Sequence, residues 1–116
     1  MLTLSSYQFW LYQHPCDMRK GFDGLSGIVR NEMNLDPLNG AVYIFFNKPR
    51  NLVKLLLWDT TGFAIYHKRL SKGTFGEFTI KTNTKSTSIR RDELLCILEG
   101  IELKSIKRRR RYALQV

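Results

Sequence analysis

Two apolar runs stand almost back to back in the middle of this chain, Ala41 to Phe46 (AVYIFF) and Leu52 to Trp58 (LVKLLLW), separated only by Asn47-Lys48-Pro49-Arg50-Asn51. Both are strand-length, and both are apolar at nearly every position, so they belong to a sheet covered on both faces rather than to one with a wet side. A third strand, Phe63 to Leu70, follows the tight Asp59-Thr60-Thr61-Gly62 link. It alternates more and carries His67, Lys68 and Arg69 toward its end, which marks it as the wetter edge. Links this short imply an antiparallel meander.

Upstream, Gln8 to Gln13 (QFWLYQ) is an aromatic-rich strand closed by His14-Pro15. The spacing then predicts a helix: Asp17 caps its first turn, and Met18, Phe22, Leu25, Val29 and Met33 recur as one buried stripe. It ends before Asp36-Pro37, because proline disfavours helical geometry in the residue ahead of it. Gly21, Gly24 and Gly27 lie three apart, and each costs about 1 kcal/mol of helix propensity relative to alanine. Close packing of a bare helix face on the sheet is the first explanation; approach of a partner backbone or phosphate chain is the second.

Downstream, Thr74 to Thr82 reads as a further strand and Asn83 to Ser88 as a polar linker. Asp92 and Glu93 open a short helix marked by Leu94, Leu95, Ile97, Leu98 and Ile101 and closed by Gly100. Arg90-Arg91 place positive charge at the wrong end of its dipole, so Ser88 is the expected cap.

The 116 residues suit one α+β domain, 1–103, followed by a basic tail, 104–116. The expected architecture is an antiparallel meander sheet of about four to five strands packed on one longer N-terminal helix, with a short C-terminal helix. Cys16 and Cys96 have no repeated spacing and read as reduced thiols. The N-terminus lacks the pattern of a signal segment, and Lys54 interrupts the longest greasy run. A soluble, cytoplasmic protein with no membrane partner is expected.

Charge supplies the functional signal. Lys104, Lys107, Arg108, Arg109, Arg110 and Arg111 give the tail six of the nineteen basic side chains and no carboxylate, +6 of a formal +9. Such a self-repelling block is suited to neutralising phosphates and releasing counterions, with Tyr112 able to stack on a base. Its bland reading is a solvated tail that aids solubility. Lys68 and Arg69, with Lys48 and Arg50, form a possible second patch. Arg19 and Lys20 stand in the first turn of the glycine-rich helix, either contacting phosphate or a partner, or paired with Asp17, Asp23 or Asp59.

Catalytic chemistry finds little support. Asp17, Asp23 and Asp59 are too few as metal ligands once Asp17 is a cap and Asp59 a turn residue. His14, His67 and Cys16 have neither metal nor nucleophile spacing, and no nucleophile elbow, Walker loop or dinucleotide fingerprint occurs. Trp58 and the aromatics of Tyr43 to Phe46 read as core before they read as a stacking platform. No enzyme activity, metal, cofactor or small-molecule substrate is expected.

Taken in order, Asp17-Met18-Arg19-Lys20-Gly21-Phe22-Asp23-Gly24-Leu25, Leu57-Trp58-Asp59, Gly62-Phe63, Lys68-Arg69-Leu70 with Gly73 and Phe75, and Leu98-Glu99-Gly100-Ile101 closely resemble the small accessory protein of IS-sixty-six-type bacterial insertion sequences. That family is called TnpB or the second-open-reading-frame protein of those elements. The likeness runs from about Tyr12 to about Ile106. It implies a helper in transposition and DNA recombination, acting beside a DNA-cutting transposase and a second small accessory protein of the same element. Three departures stand out: Thr74 where an arginine is usual, Gly76-Glu77-Phe78 in place of a Trp-Pro, and Arg90-Arg91 in place of a capped helix start.

The first function that follows is a non-catalytic transposition accessory that binds element-end DNA, the transposase complex, or both. Its alternative is an interaction module that docks on the transposase without DNA affinity of its own. A metal-dependent nuclease ranks below both.

Overall fold

The structure is a computed structural model that describes residues 7–81 and 83–99. Its elements are β1 (Phe9–Tyr12), α1 (Phe22–Asn31), β2 (Val42–Phe46), β3 (Leu52–Trp58), β4 (Phe63–Arg69), β5 (Ser86–Ile89) and α2 (Arg91–Glu99). One five-stranded sheet runs in the order β4-β3-β2-β1-β5. The short links do produce an antiparallel β2-β3-β4 meander, with Val42 opposite Leu57 and Lys54 opposite His67.

The sheet as a whole is mixed, not purely antiparallel. β1 runs parallel to β2, pairing Phe9 with Val42 and Leu11 with Ile44. Parallel neighbours need a long crossover, and α1 provides it. The longer helix is therefore not N-terminal but lies between the first two strands. β5 closes the other edge, antiparallel to β1.

Helices on opposite faces explain the unbroken apolar runs. On one face Leu25, Ile28, Val29 and Met33 of α1 and its C-terminal extension cover Tyr43, Phe45 and Leu56. On the other, Leu94 and Ile97 of α2, helped by Phe75, cover Ile44, Phe46, Val53 and Leu55. Strands β2 and β3 are buried on both sides by this arrangement, whereas β4 is exposed from Tyr66 to Arg69.

Several expectations are corrected. The first helix begins at Phe22, not at Asp17, and Phe22 stays half-exposed rather than joining the core. A Cβ on Gly21 or Gly27 would meet nothing within 4 Å, so sheet packing does not explain those glycines. Thr74 to Thr82 forms no strand among the described residues, and the supposed linker from Asn83 to Ser88 holds the start of β5. Buried Gln13 causes that exchange. Its side-chain amide donates to the Thr84 carbonyl at 3.1 Å and its Oε1 accepts the Lys81 N–H at 2.8 Å, steering the chain back beside β1.

Ser88 pairs with Trp10 inside β5 instead of capping a helix. The α2 start is held at Arg90, whose carbonyl accepts the Leu94 N–H at 3.0 Å and whose N–H reaches Glu93 Oε1 at 3.1 Å. That reach of a third-position glutamate is half of a capping box, and it supplies the anion that Arg90-Arg91 lack. Gly100, Ile101 and the tail 104–116 lie outside the described residues.

Candidate nucleic-acid interface

Lys54 is the only charged side chain within the run Leu52 to Trp58, and it is buried on the α1 face at 8% exposure. Its Nζ donates to the Met18 carbonyl at 2.8 Å and to the Lys20 carbonyl at 2.7 Å. A buried ammonium is costly unless hydrogen-bonded, and these two bonds satisfy most of its donors. In return they fasten the turn Asp17 to Lys20 onto the middle of β3.

That turn is stiffened from within. Asp17 accepts the Arg19 backbone N–H at 2.9 Å and grips the Arg19 guanidinium through Nε and Nη2, the latter at 2.8 Å. The bonds from Arg19 hold the Asp17 carboxyl down at about 2. Arg19 is 91% exposed, so it remains available to a further anion. Lys20 follows, and its Cβ and Cγ stand 3.0 and 3.1 Å from where a Cβ on Gly24 would be. Gly24 thus lets the lysine stem lie across the first turn of α1.

The sheet brings one further cation, Arg69, and an imidazole, His67, to the same corner. His67 lies opposite Lys54 and Arg69 opposite Leu52; residues directly opposite in an antiparallel pair share a face, so both stand on the α1 side. Burial, then Lys54, then Arg69 hold the His67 imidazole below its usual range. Lys68 pairs with Val53 and belongs to the other face. Lys68 and Arg69, neighbours in sequence, therefore point to opposite sides of one edge strand. No carboxylate among the described residues pairs with Lys68 or Arg69.

Further segments that carry the resemblance lie along the same pair of strands, the hairpin at the end away from Arg69. Asp59 N–H bonds to the Gly62 carbonyl at 3.0 Å to close the β3–β4 hairpin, where Trp58 meets Phe63 edge-on at 5.1 Å. Leu70 N–H bonds to the Asn51 carbonyl at 2.9 Å, tying the end of β4 to the start of β3. The IS66 Orf2 like protein family matches residues 7–108. The chain belongs to that family.

Two relatives come from Sinorhizobium fredii, both described as uncharacterized. Protein y4hO is 33% identical over 66 residues, 57% of this chain and 57% of its own length. Protein y4jC is 26% identical over 95 residues, 82% of this chain and 80% of its own. No solved structure matches.

Not every cation of this IS66 Orf2 family member is free for a partner. Arg50, at a positive φ of 62°, sends Nη2 to the Phe75 carbonyl at 3.0 Å and lies 5.2 Å from the Phe78 ring centroid, while its own carbonyl accepts the Phe75 N–H at 2.8 Å. It anchors the segment where the family's usual Trp-Pro is replaced. Lys48 is exposed in the same turn. Among the described residues no three His, Cys, Asp or Glu side chains gather as a metal site, and no helix is long and apolar enough to cross a membrane. The six tail cations named from the sequence, Lys104, Lys107, Arg108, Arg109, Arg110 and Arg111, lie outside the described residues.

Sequence reasoning picks out Arg19, Lys20, Lys68 and Arg69 but misses Lys54 and His67 as the groups beneath and beside them. A signal for Lys54 exists: one lysine in an otherwise greasy strand has to find carbonyls or a carboxylate. Its actual partners, two main-chain carbonyls far upstream, carry no sequence mark.

Proposed function

We propose that this chain is a non-catalytic accessory protein of insertion-sequence transposition that binds DNA through its cations. Family membership supports the process. The observation that supports the molecular activity is the corner where Arg19, Lys20, His67 and Arg69 are arranged around Lys54 with Asp17 as the one carboxylate in the turn. Such a surface, together with the charge that Lys104, Lys107, Arg108, Arg109, Arg110 and Arg111 add in sequence, neutralises phosphates and supplies affinity; contacts to phosphate carry no sequence information, so low sequence selectivity is expected of them. The element's transposase and its second small accessory protein are the partners this role requires.

A mobility shift of element-end duplex by the purified chain without transposase tests the reading. A defined shift, weakened by Lys20→Ser with Arg69→Ser, is expected. An unshifted duplex at protein concentrations that saturate the transposase complex overturns it, and favours docking on the transposase alone.

A further inference from the structure

We infer that the outer edge of β4 is a docking site for an extended acidic segment of a protein partner, which adds to the sheet as a further strand. β4 is the terminal strand of the sheet, seven residues long, and pairs along its whole length with β3 on the inner side. Among the described residues nothing pairs with its outer side. A row of unmatched N–H and C=O groups of that length is a template for another strand. The opposite edge, β5, has only four residues.

The side chains of β4 say which strand fits. Its first half, Phe63 to Tyr66, is apolar, with Tyr66 48% exposed; its second half, His67 to Arg69, is exposed and carries two cations, Lys68 and Arg69. Lys68 projects to one face and Arg69 to the other, so acidic residues on both faces of an incoming strand meet a cation. The complement in an antiparallel pairing is a segment that begins with carboxylates and continues with apolar or β-branched residues.

Other occupants fit less well. A second copy would set cationic halves against apolar ones, and charge on an edge is how sheets avoid pairing with themselves. The terminal segments of this chain do not complement it: residues 1–6 carry no charged side chain, and residues 100–116 carry six basic side chains against one carboxylate, Glu102. DNA satisfies the side chains but leaves the strand edge unpaired. The charges that reject a copy select an acidic strand. This goes beyond the DNA reading: the two share the Arg69 side chain, but only an added strand bonds the β4 main chain.

The test uses the full chain and a synthetic peptide of about nine residues, three carboxylates followed by alternating valine and threonine. Amide hydrogen exchange should slow about tenfold within Phe63–Arg69 when the peptide binds. A peptide of the same charge with proline at alternate positions should bind at least about tenfold more weakly. Lys68→Glu with Arg69→Glu, both exposed, should lose the acidic peptide, accept one with lysines in place of the carboxylates, and keep β2 and β3 amides protected. Equal binding of the proline peptide overturns the proposal, as does equal protection of β4 by duplex DNA or by raised protein concentration alone.

Discussion

Lys54 shows how one buried side chain can organise a cationic corner from beneath. Removing its ammonium leaves the Met18 and Lys20 carbonyls without their donor in a partly buried place. Lys54→Met should therefore cost about 1–3 kcal/mol, read as a lower urea midpoint at unchanged slope. The same variant should also weaken DNA binding, because Arg19 and Lys20 lose their anchor. Burial pushes the Cys16 thiol from 9.0 up to about 11, and burial with the hydrogen bond to Glu32 pushes Tyr12 from 10.0 up to about 12. Both folded values exceed the unfolded ones, so the stability they contribute is whole below about pH 9 and is lost as pH rises through 9 to 12. Tyr12→Phe should flatten the upper part of that alkaline decline, measured by unfolding at stepped pH. Asp17 has the opposite sign: its contribution is present above about pH 4 and lost toward pH 2, and contact with solvent keeps it small.

Elements with strong periodicity are legible in the sequence, and those defined by long-range hydrogen bonds are not. The runs of β2 and β3 announce themselves because helices cover them on both sides. The stripe Leu25, Val29 and Met33 gives α1, but its start is hidden because Asp17 caps a tight turn rather than the helix. β5 reads Ser-Thr-Ser-Ile and carries no apolar alternation worth the name; it is a strand because Gln13 holds Thr84 and Lys81 beside β1. Gln13→Leu should leave those backbone groups unpaired, costing about 1–3 kcal/mol, with amide exchange of β5 accelerating before that of β2. Leu94, fully buried in α2 against the opposite face, should cost about 2–5 kcal/mol as Leu94→Ala in thermal or urea unfolding.

At the scale of the molecule, a mixed sheet sandwiched between two short helices turns one edge strand outward and gathers cations on its α1 side. Sequence proximity suggests that Lys68 and Arg69 act together; the pleat separates them, while it unites Arg69 with residues far upstream in sequence. What the folded body presents is a cationic corner, and what the sequence adds is a tail with six more positive charges. The central claim is that these charges meet phosphate. Fluorescence anisotropy of a labelled duplex, titrated with the chain alone across a salt series, tests it most directly. If the six tail cations all meet phosphates, they alone give log K against log salt a slope of about −5, each corner cation that joins them steepens it by about 0.9, and changing Arg108, Arg109, Arg110 and Arg111 to serine should make it shallower by about 3.6. No binding at low salt, or an affinity indifferent to salt, would contradict the account.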